Sequence, residues 1–227
     1  MIVGSGMIAK AFKEYGNSNK VLIFAKGVSN SLETKKEEFE RETALLLETI
    51  EKYRDRTLVY FGTCSALDSQ NNYNAYIEHK VKMENIIQEN CKNYFIFRLP
   101  QVVGKATSPT LINFLATHIK NGTPFHLWKN SKRNLIDVVD VYKIASYLIN
   151  NGILKNKVTN IASSESVNIT TIVKKIELLL DKKADYTMED KGTFYDIDIS
   201  KISKYLLDIG ICFGGNYIDV VLDKYVK

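Results

Sequence analysis

Tyr76 and Lys80 are the two residues of this chain whose types and spacing are best suited to chemistry. Positions i and i+4 of a helix lie on one face, so the Lys ammonium can lie beside the Tyr phenol. A nearby cation stabilises the phenolate and lowers the pKa of the phenol from about 10 toward neutral pH. Thr63, just past an apolar strand, carries a hydroxyl that could hold a substrate oxygen against this phenol. The three residues predict an acid/base site for alcohol and carbonyl chemistry.

A glycine-rich turn lies near the start of the chain. Residues 4–9 read Gly-Ser-Gly-Met-Ile-Ala and lie between a short apolar run and a stretch with helical periodicity. Glycines at such a turn allow a pyrophosphate to approach the backbone, and the first amides of the helix stabilise its charge. Each motif is weak by itself, because about 1.5 Tyr-x-x-x-Lys matches arise by chance in a chain of this composition. Their occurrence together, in this order, indicates a dinucleotide-dependent site.

Short apolar runs alternate with segments of 3.6-residue periodicity, which indicates a parallel sheet covered on both faces. We therefore predict an α/β fold, a doubly wound and shortened Rossmann-like parallel sheet with a small C-terminal substrate lobe. A single domain should span 1–227, with 1–104 mainly the cofactor-binding core and 105–227 mixed core and substrate-binding lobe. Strands are predicted at 1–3, 21–25, 57–62, 94–98, 125–128 and 158–162, and helices near 7–15, 34–53, 74–90, 108–120, 138–151, 169–182, 199–209 and 216–225.

The ordered set of motifs resembles the extended short-chain dehydrogenase/reductase family, in its sugar-nucleotide epimerase, dehydratase and reductase branch. The likeness covers nearly the whole chain and lies in the cofactor loop (4–9), the strand end under the dinucleotide (24–27), the catalytic trio Thr63, Tyr76 and Lys80, the segment after the sixth strand (97–104) and the substrate-phosphate run (133–140).

The resemblance implies an NAD or NADP cofactor and a nucleotide-linked sugar as substrate. It implies that Tyr76 transfers the proton, that Thr63 hydrogen-bonds the reacting oxygen, and that Lys80 lowers the phenol pKa and binds the nicotinamide ribose. Such enzymes supply sugars for surface polysaccharides. The implied cofactor contacts are the trio together with Gly4, Ser5, Gly6, Met7, Ile8, Ala25, Lys26 and Gly27.

The spacing between the two motifs predicts a shortened cofactor half. Only about 57 residues separate Gly6 from Thr63, enough for two βα units of roughly 30 residues where the family has about four. The strand at 21–25 then resembles the family's fourth strand, and the acidic residue expected to hold the adenosine ribose has no counterpart. An alternative makes it the second strand, with Lys26 reading a 2′-phosphate. We favour the deletion, which predicts that the strand at 1–3 lies at a sheet edge.

Within the family, a 4-keto sugar reductase is the preferred function. An epimerase or dehydratase returns the hydride within one turnover, so it must retain its reduced cofactor, whereas a loosely held, exchangeable cofactor suits net reduction. A non-catalytic relative that binds a sugar nucleotide or a partner enzyme is the competing class.

Several further residues are candidates for the substrate side. Ser65, Arg98, Asn113 and Arg133 are the predicted substrate contacts, although an Arg at a strand end, such as Arg98, more often pairs with a carboxylate. Arg133 matches the family's phosphate-binding Arg. Residues 68–72 could be an active-site wall or an ordinary polar turn. His79 should point to a different helix face from Lys80, as a structural or surface residue. Where the family often has an active-site Asn, this chain has Arg41 and Glu42 nearby.

Composition limits the remaining options. The net charge of +5 and isoelectric point near 8.9 suit anionic phosphates, but the basic residues are scattered, so no nucleic acid is expected as a partner. Three dispersed cysteines favour a reducing cytoplasm and no metal site. Apolar runs fall far below the ~20 residues of a membrane span, so no membrane insertion is expected. Homo-oligomerisation stays open.

Overall fold

The structure is a computed structural model that describes residues 1–67, 74–105, 110–192 and 194–226. The predicted polar turn at 68–72 and the first two residues of the helix predicted at 108–120 lie outside the described residues. The chain forms two compact units. The first unit comprises Met1–Leu99 and Tyr142–Ile161, and the second unit comprises Pro100–Val141 and Ala162–Lys227.

The secondary structure of the described residues alternates between strands and helices through most of the chain. The strands are β1 (Ile2–Val3), β2 (Val21–Phe24), β3 (Thr57–Thr63), β4 (Tyr94–Leu99), β5 (Gln101–Val103), β6 (Phe125–Trp128), β7 (Lys132–Asp137), β8 (Val158–Asn160), β9 (Ser166–Asn168) and β10 (Tyr186–Glu189). The helices are α1 (Met7–Ala11), α2 (Lys36–Lys52), α3 (Ala75–Asn90), α4 (Leu111–Asn121), α5 (Val138–Asn150), α6 (Ile169–Leu180), α7 (Ser200–Leu206) and α8 (Tyr217–Val226), with 3₁₀ turns at Lys13–Asn17 and Cys64–Leu67.

The central sheet of the first unit confirms the predicted α/β class. Its order is β1-β2-β3-β4-β8, and all neighbouring pairs are parallel. The strands are near-continuous apolar runs because both faces of a parallel sheet are covered. A core cluster that includes Leu46 from α2, Tyr60 from β3 and Met83 from α3 packs between the sheet and these helices.

The position of β2 decides between the two alternatives for residues 21–25. In a full dinucleotide-binding sheet the first strand separates the second strand from the fourth, which neighbours the catalytic strand. Here β2 lies between β1 and β3, the place of a fourth strand. Within the described part of the chain no strand lies outside β1. The shortened cofactor half is therefore confirmed, and the assignment of 21–25 as a second strand is wrong.

The six predicted strands and eight predicted helices are present, with boundary shifts of a few residues. The helix predicted at 7–15 breaks after Ala11, and a 3₁₀ turn follows at Lys13–Asn17. The sequence did not predict four strands, β5, β7, β9 and β10, which all belong to the second unit. They are three to six residues long, and none has more than two consecutive apolar residues, so they lack the apolar run that marks a strand of the central sheet.

The second unit has its own core. Strands β5 and β7 pair in parallel, β7 pairs antiparallel with β9, and β6 pairs in parallel with β10. Helices α4, α6 and α8 bury a cluster of aliphatic side chains there, including Leu115, Ile172 and Leu222. No helix of the described residues is both long enough and apolar enough to cross a membrane.

Candidate functional site

The glycine-rich turn after β1 contains Gly4 and Gly6, and the absence of a side chain has a different structural consequence at each position. Gly4 has a φ of +131°, and a Cβ at that position would lie 2.5 Å from the carbonyl oxygen of Ala25, so the close approach of β1 to the end of β2 requires glycine. Gly6 has an ordinary φ of −72°, and a Cβ there would meet no atom within 4 Å. Gly6 therefore leaves open space above the backbone, which a ligand can approach.

Thr63 ends β3 and is buried. Its Oγ1 accepts a hydrogen bond of 3.1 Å from the backbone amide of Ser65, in the 3₁₀ turn that follows the strand. A hydroxyl has one donor and two acceptor sites. Because Ser65 uses an acceptor site, the Thr63 O–H remains able to donate to a substrate oxygen.

Helix α3 carries the predicted pair on one face, as the i, i+4 spacing requires. The helix begins at Ala75, and the side chain of the preceding Asn74 accepts a 3.0 Å hydrogen bond from the amide of Ile77 and so caps the first turn. The Lys80 Nζ lies 5.8 Å from the centroid of the Tyr76 ring. Tyr76 is half-buried, whereas Lys80 is only 6% exposed. The structure therefore brings the predicted phenol and ammonium together.

Lys80 also has a partner that the sequence did not predict. Its Nζ donates a 3.0 Å hydrogen bond to Oε1 of Glu42, a buried residue of α2. The Tyr60 hydroxyl donates to the same oxygen at 3.3 Å. The other carboxylate oxygen, Oε2, accepts from the amide of Val28 at 2.7 Å. Glu42 thus ties α2, the loop after β2, β3 and α3 together beside the candidate site.

His79 completes this arrangement as a buried residue that contacts the other carboxylate oxygen of Glu42. Its Nε2 lies 3.0 Å from Oε2 of Glu42, and its side chain is 4% exposed. An ionised carboxylate only accepts hydrogen bonds, so Nε2 is the donor. His79 and Lys80 therefore reach the same carboxylate although they are neighbours in sequence. The long carboxylate-bearing side chain of Glu42 lies between the two directions in which they point.

The electrostatics of the network act in opposite ways on its two charged partners: they favour the charged form of Glu42, and they lower the pKa of the Lys80 ammonium. Burial raises the pKa of Glu42, but the hydrogen bond from His79, the charge of Lys80 and the Val28 amide together lower this pKa to about 2. Burial lowers the pKa of Lys80, and the charge of Glu42 opposes that effect. Burial also raises the pKa of the Tyr60 phenol, so Tyr60 stays a neutral donor.

Gly27 makes room for the Glu42 carboxylate. A Cβ on Gly27 would lie 2.3 to 2.6 Å from the three carboxyl atoms of Glu42, well inside van der Waals contact. The predicted cofactor segment at the end of β2 is exposed at Lys26 and Gly27. This segment therefore has two faces: one packs on Glu42, and the other is open to solvent.

Arg98 has the carboxylate partner that the sequence left as its alternative. Its Nη2 and Nε donate to Oε2 and Oε1 of Glu84 at 2.6 and 3.0 Å, and the Glu84 side chain is 2% exposed. Gly62 leaves room for this pair, since a Cβ there would lie 2.6 Å from Glu84. Arg98 is thus neutralised inside the first unit.

The other two predicted substrate contacts belong to the second unit. Asn113 is half-buried in the first turn of α4, and its amide donates to the Thr110 side chain at 3.3 Å. Arg133 lies in β7, with Nη1 donating to the Lys132 carbonyl at 2.9 Å. Burial lowers the pKa of Arg133, and the nearby Tyr195 opposes this effect.

The first unit offers groups that fit a dinucleotide. The open backbone at Gly6 suits a pyrophosphate, since glycine lets phosphate oxygens approach the amides. Tyr76 and Lys80 supply a phenol and an ammonium on one face of α3. The Lys80 ammonium has three N–H donors, and Glu42 uses one of them. That donor is therefore not available to a ribose hydroxyl.

Comparison with known proteins identifies one family. The sequence model of the NAD dependent epimerase/dehydratase family matches residues 3–162, more than half of the chain. No curated protein sequence gives a significant match.

Many solved structures share the fold. A dTDP-glucose 4,6-dehydratase from Bacillus anthracis in complex with NAD superposes with a TM-score of 0.71 at 18% identity, over 97% of this chain and 76% of the other. A UDP-glucuronic acid 4-epimerase from Bacillus cereus with NAD gives 0.72 at 16% identity, over 95% and 75%. A UDP-glucose 4-epimerase from Thermotoga maritima with UDP-glucose gives 0.70 at 15% identity, over 97% and 80%. At these identities the likeness establishes the fold.

Proposed function

Because the chain belongs to the NAD dependent epimerase/dehydratase family, we propose that it is an NAD-dependent oxidoreductase that acts on a nucleotide-linked sugar. The observation that carries this proposal is the pairing on α3, where the Lys80 ammonium lies 5.8 Å from the Tyr76 ring centroid. Thr63 at the adjacent strand end supplies a hydroxyl. The arrangement provides a proton donor, its electrostatic partner and a hydrogen-bond donor for one reacting oxygen.

Each residue of the trio has a defined task in the proposed reaction. Bound NAD would supply the hydride chemistry. The Tyr76 phenol gives a proton to the carbonyl oxygen that becomes an alcohol, or takes it in the reverse direction. Thr63 donates a hydrogen bond to that oxygen, and the charge of Lys80 stabilises the phenolate left behind. Gly4 and Gly6, with Ser5, Met7 and Ile8, form the proposed contact for the pyrophosphate.

Within this class, a 4-keto sugar reductase is the reaction that we favour. Among the described residues, β1 is the edge strand of its sheet. The two βα units that would border the adenosine half of the dinucleotide are therefore missing from this part of the chain. A dinucleotide held mainly by its pyrophosphate and nicotinamide ends exchanges readily, which suits one net hydride transfer per bound cofactor. Epimerases and dehydratases of the same family return the hydride before release, so they gain from tight retention.

Arg133 and Asn113 remain the proposed contacts for the substrate phosphates and sugar, and Ser65 for the sugar beside Thr63. Arg133 has the stronger case, since a guanidinium can bind a phosphate through two parallel hydrogen bonds. Arg98 is paired with Glu84, so the proposed phosphate contact does not depend on it.

The test is to incubate the purified protein with NADH and 4-keto sugar nucleotides carrying UDP or dTDP. A reductase oxidises one NADH for each alcohol formed, and the loss of NADH is followed by its absorbance. Interconversion of sugar nucleotides without net NADH loss would identify an epimerase or dehydratase instead. Failure to bind either NADH or NADPH, with or without sugar nucleotide, would favour the non-catalytic alternative. NAD released only by denaturing freshly purified protein would contradict the reductase proposal.

A further inference from the structure

The buried ammonium of Lys80 requires a counter-charge. Lys80 is 6% exposed, and a charged amine at that depth is costly unless an opposite charge and hydrogen bonds replace its water shell. The groups packed around it come from two helices and two strands. They are Glu42 from α2, Tyr60 from β3, Tyr76, His79 and Glu84 from α3, and Arg98 from β4 beside Glu84.

Only one of the carboxylates in this group serves Lys80 directly. Glu84 is held by three hydrogen bonds from Arg98, so its charge is already compensated. Glu42 lies 3.0 Å from the Lys80 Nζ, and its other hydrogen-bond partners are the Tyr60 phenol, the Val28 amide and the His79 imidazole, so among the described residues Lys80 is its one Lys or Arg partner. The negative charge of Glu42 is therefore balanced by Lys80, and the positive charge of Lys80 is balanced by Glu42.

The same contacts fix the place of the amine. Four donors on Oε1 and Oε2 use the acceptor sites of the Glu42 carboxylate, and a fully bonded buried carboxylate has one orientation. Its position over Gly27 leaves no space for it to withdraw toward β2. The Lys80 Nζ that it binds lies between two aromatic rings, 5.4 Å from the centroid of Tyr60 and 5.8 Å from that of Tyr76.

We propose that Glu42 is a positioning residue of the site: it is the buried counter-ion of Lys80, and it holds the charged amine beside the Tyr76 ring. Glu42 acts through Lys80 and has no contact with the reacting atoms. This inference rests on the proposed function only in giving Tyr76 a reaction to serve. Without Glu42, Lys80 releases its proton at a lower pH, and Tyr76 loses its neighbouring cation above that pH.

The test follows the titration of Lys80 itself, without cofactor or substrate. The protein is labelled with ¹³C at the lysine ε-carbons, and the Lys80 resonance is assigned by its disappearance in Lys80→Met. In Glu42→Gln, which keeps the shape of the side chain, the midpoint of the Lys80 titration should fall by about 2 pH units or more, as for other lysines buried without a counter-ion. Glu84→Gln is the matched control, because it removes an equally buried carboxylate whose partner is Arg98. It should lower the midpoint less.

An unchanged Lys80 midpoint in folded Glu42→Gln, or an equal fall in Glu84→Gln, would overturn the proposal. If Glu42→Gln does not fold, the double variant Glu42→Gln/Lys80→Met decides. Recovery of the wild-type circular dichroism in the double variant supports the counter-ion role, because both buried charges are then gone. Loss of the fold in both variants would show that Glu42 is needed for packing whatever its partner, and would overturn the proposal.

The pH profile of turnover links this inference to the reaction. A phenol without its cation is a weaker acid, so in Glu42→Gln the alkaline fall in the rate of ketone reduction should move to higher pH while the plateau rate decreases. The lysine titration can succeed even if no substrate is turned over. In that case the proposed function fails and the role of Glu42 in charging Lys80 stands.

Discussion

The two ends of the first unit's candidate site are built in opposite ways. At the β1 end, Ser5 and Gly6 are exposed, and the turn lies at the edge of the sheet. At the β3 end, Thr63 and Lys80 are buried, and the Glu42 network links four segments of the chain. The first end offers backbone amides to a ligand, whereas the second offers positioned side chains. We infer that affinity for the dinucleotide and the chemical step depend on separate parts of the unit.

The largest expected effect is on the chemical step. Tyr76→Phe removes the transferable proton and keeps the ring, so turnover should fall by about 10² to 10⁴, the usual contribution of a general acid or base. The affinity for NADH, measured by nicotinamide fluorescence, should change little, because the turn at Gly4–Ala9 is untouched. Wild-type turnover in this variant would remove Tyr76 from the mechanism and with it the proposed separation.

The next effect concerns the acid stability of the buried end. The pKa of Glu42 is about 2 in the folded protein against an ordinary 4.5, so the stability it contributes is present above pH 4.5 and is lost as the pH falls through 2. Between pH 7 and pH 3 the loss should be on the order of 2 kcal/mol. The reference is Glu42→Gln/Lys80→Met, which has neither buried charge. Urea unfolding at both pH values gives the comparison, and an equal pH dependence of the two proteins would contradict the buried ion pair.

Sequence reasoning identified the elements that long apolar runs and helical periodicity define, and with them the edge position of β1. It missed strands such as Lys132–Asp137, whose pairing depends on partners elsewhere in the second unit and not on its own composition. Thr63, Tyr76 and Lys80 could be proposed because their chemistry follows from residue type and local spacing.

The partner of Lys80 was missed although a signal for it existed. Glu42 precedes Leu46, Thr49 and Ile50 by four, seven and eight positions, so it belongs to the buried face of α2. A carboxylate on an apolar helix face requires a buried donor or cation. Its identity could not be read from the sequence, because the contact joins residues 38 positions apart. Gly27 and Gly62 make room for the buried carboxylates. This role could not be predicted from the sequence either.

A matched pair of glycine variants separates backbone strain from ligand access at the β1 end. Gly4→Ala places a side chain at a φ of +131° and 2.5 Å from the Ala25 carbonyl, so it should lower the free energy of unfolding by about 1 to 3 kcal/mol. Gly6→Ala meets open space, so stability should change by less than about 0.5 kcal/mol, whereas NADH affinity should fall about tenfold. Thermal unfolding and fluorescence titration measure the two effects. Unchanged NADH affinity in Gly6→Ala would remove the turn from the cofactor site.

The smallest expected effect is on the choice between NADH and NADPH. The two cofactors differ by a phosphate on the adenosine ribose, the part of the dinucleotide that the two absent βα units would border. Their dissociation constants should therefore agree within about tenfold, a difference of about 1.4 kcal/mol. Lys26 follows β2, which lies between β1 and β3, so Lys26→Ala should weaken both cofactors by similar factors. A preference above about 100-fold for either cofactor, or a loss confined to NADPH in Lys26→Ala, would show that this end reads the adenosine ribose and would end the contrast between the two ends of the site.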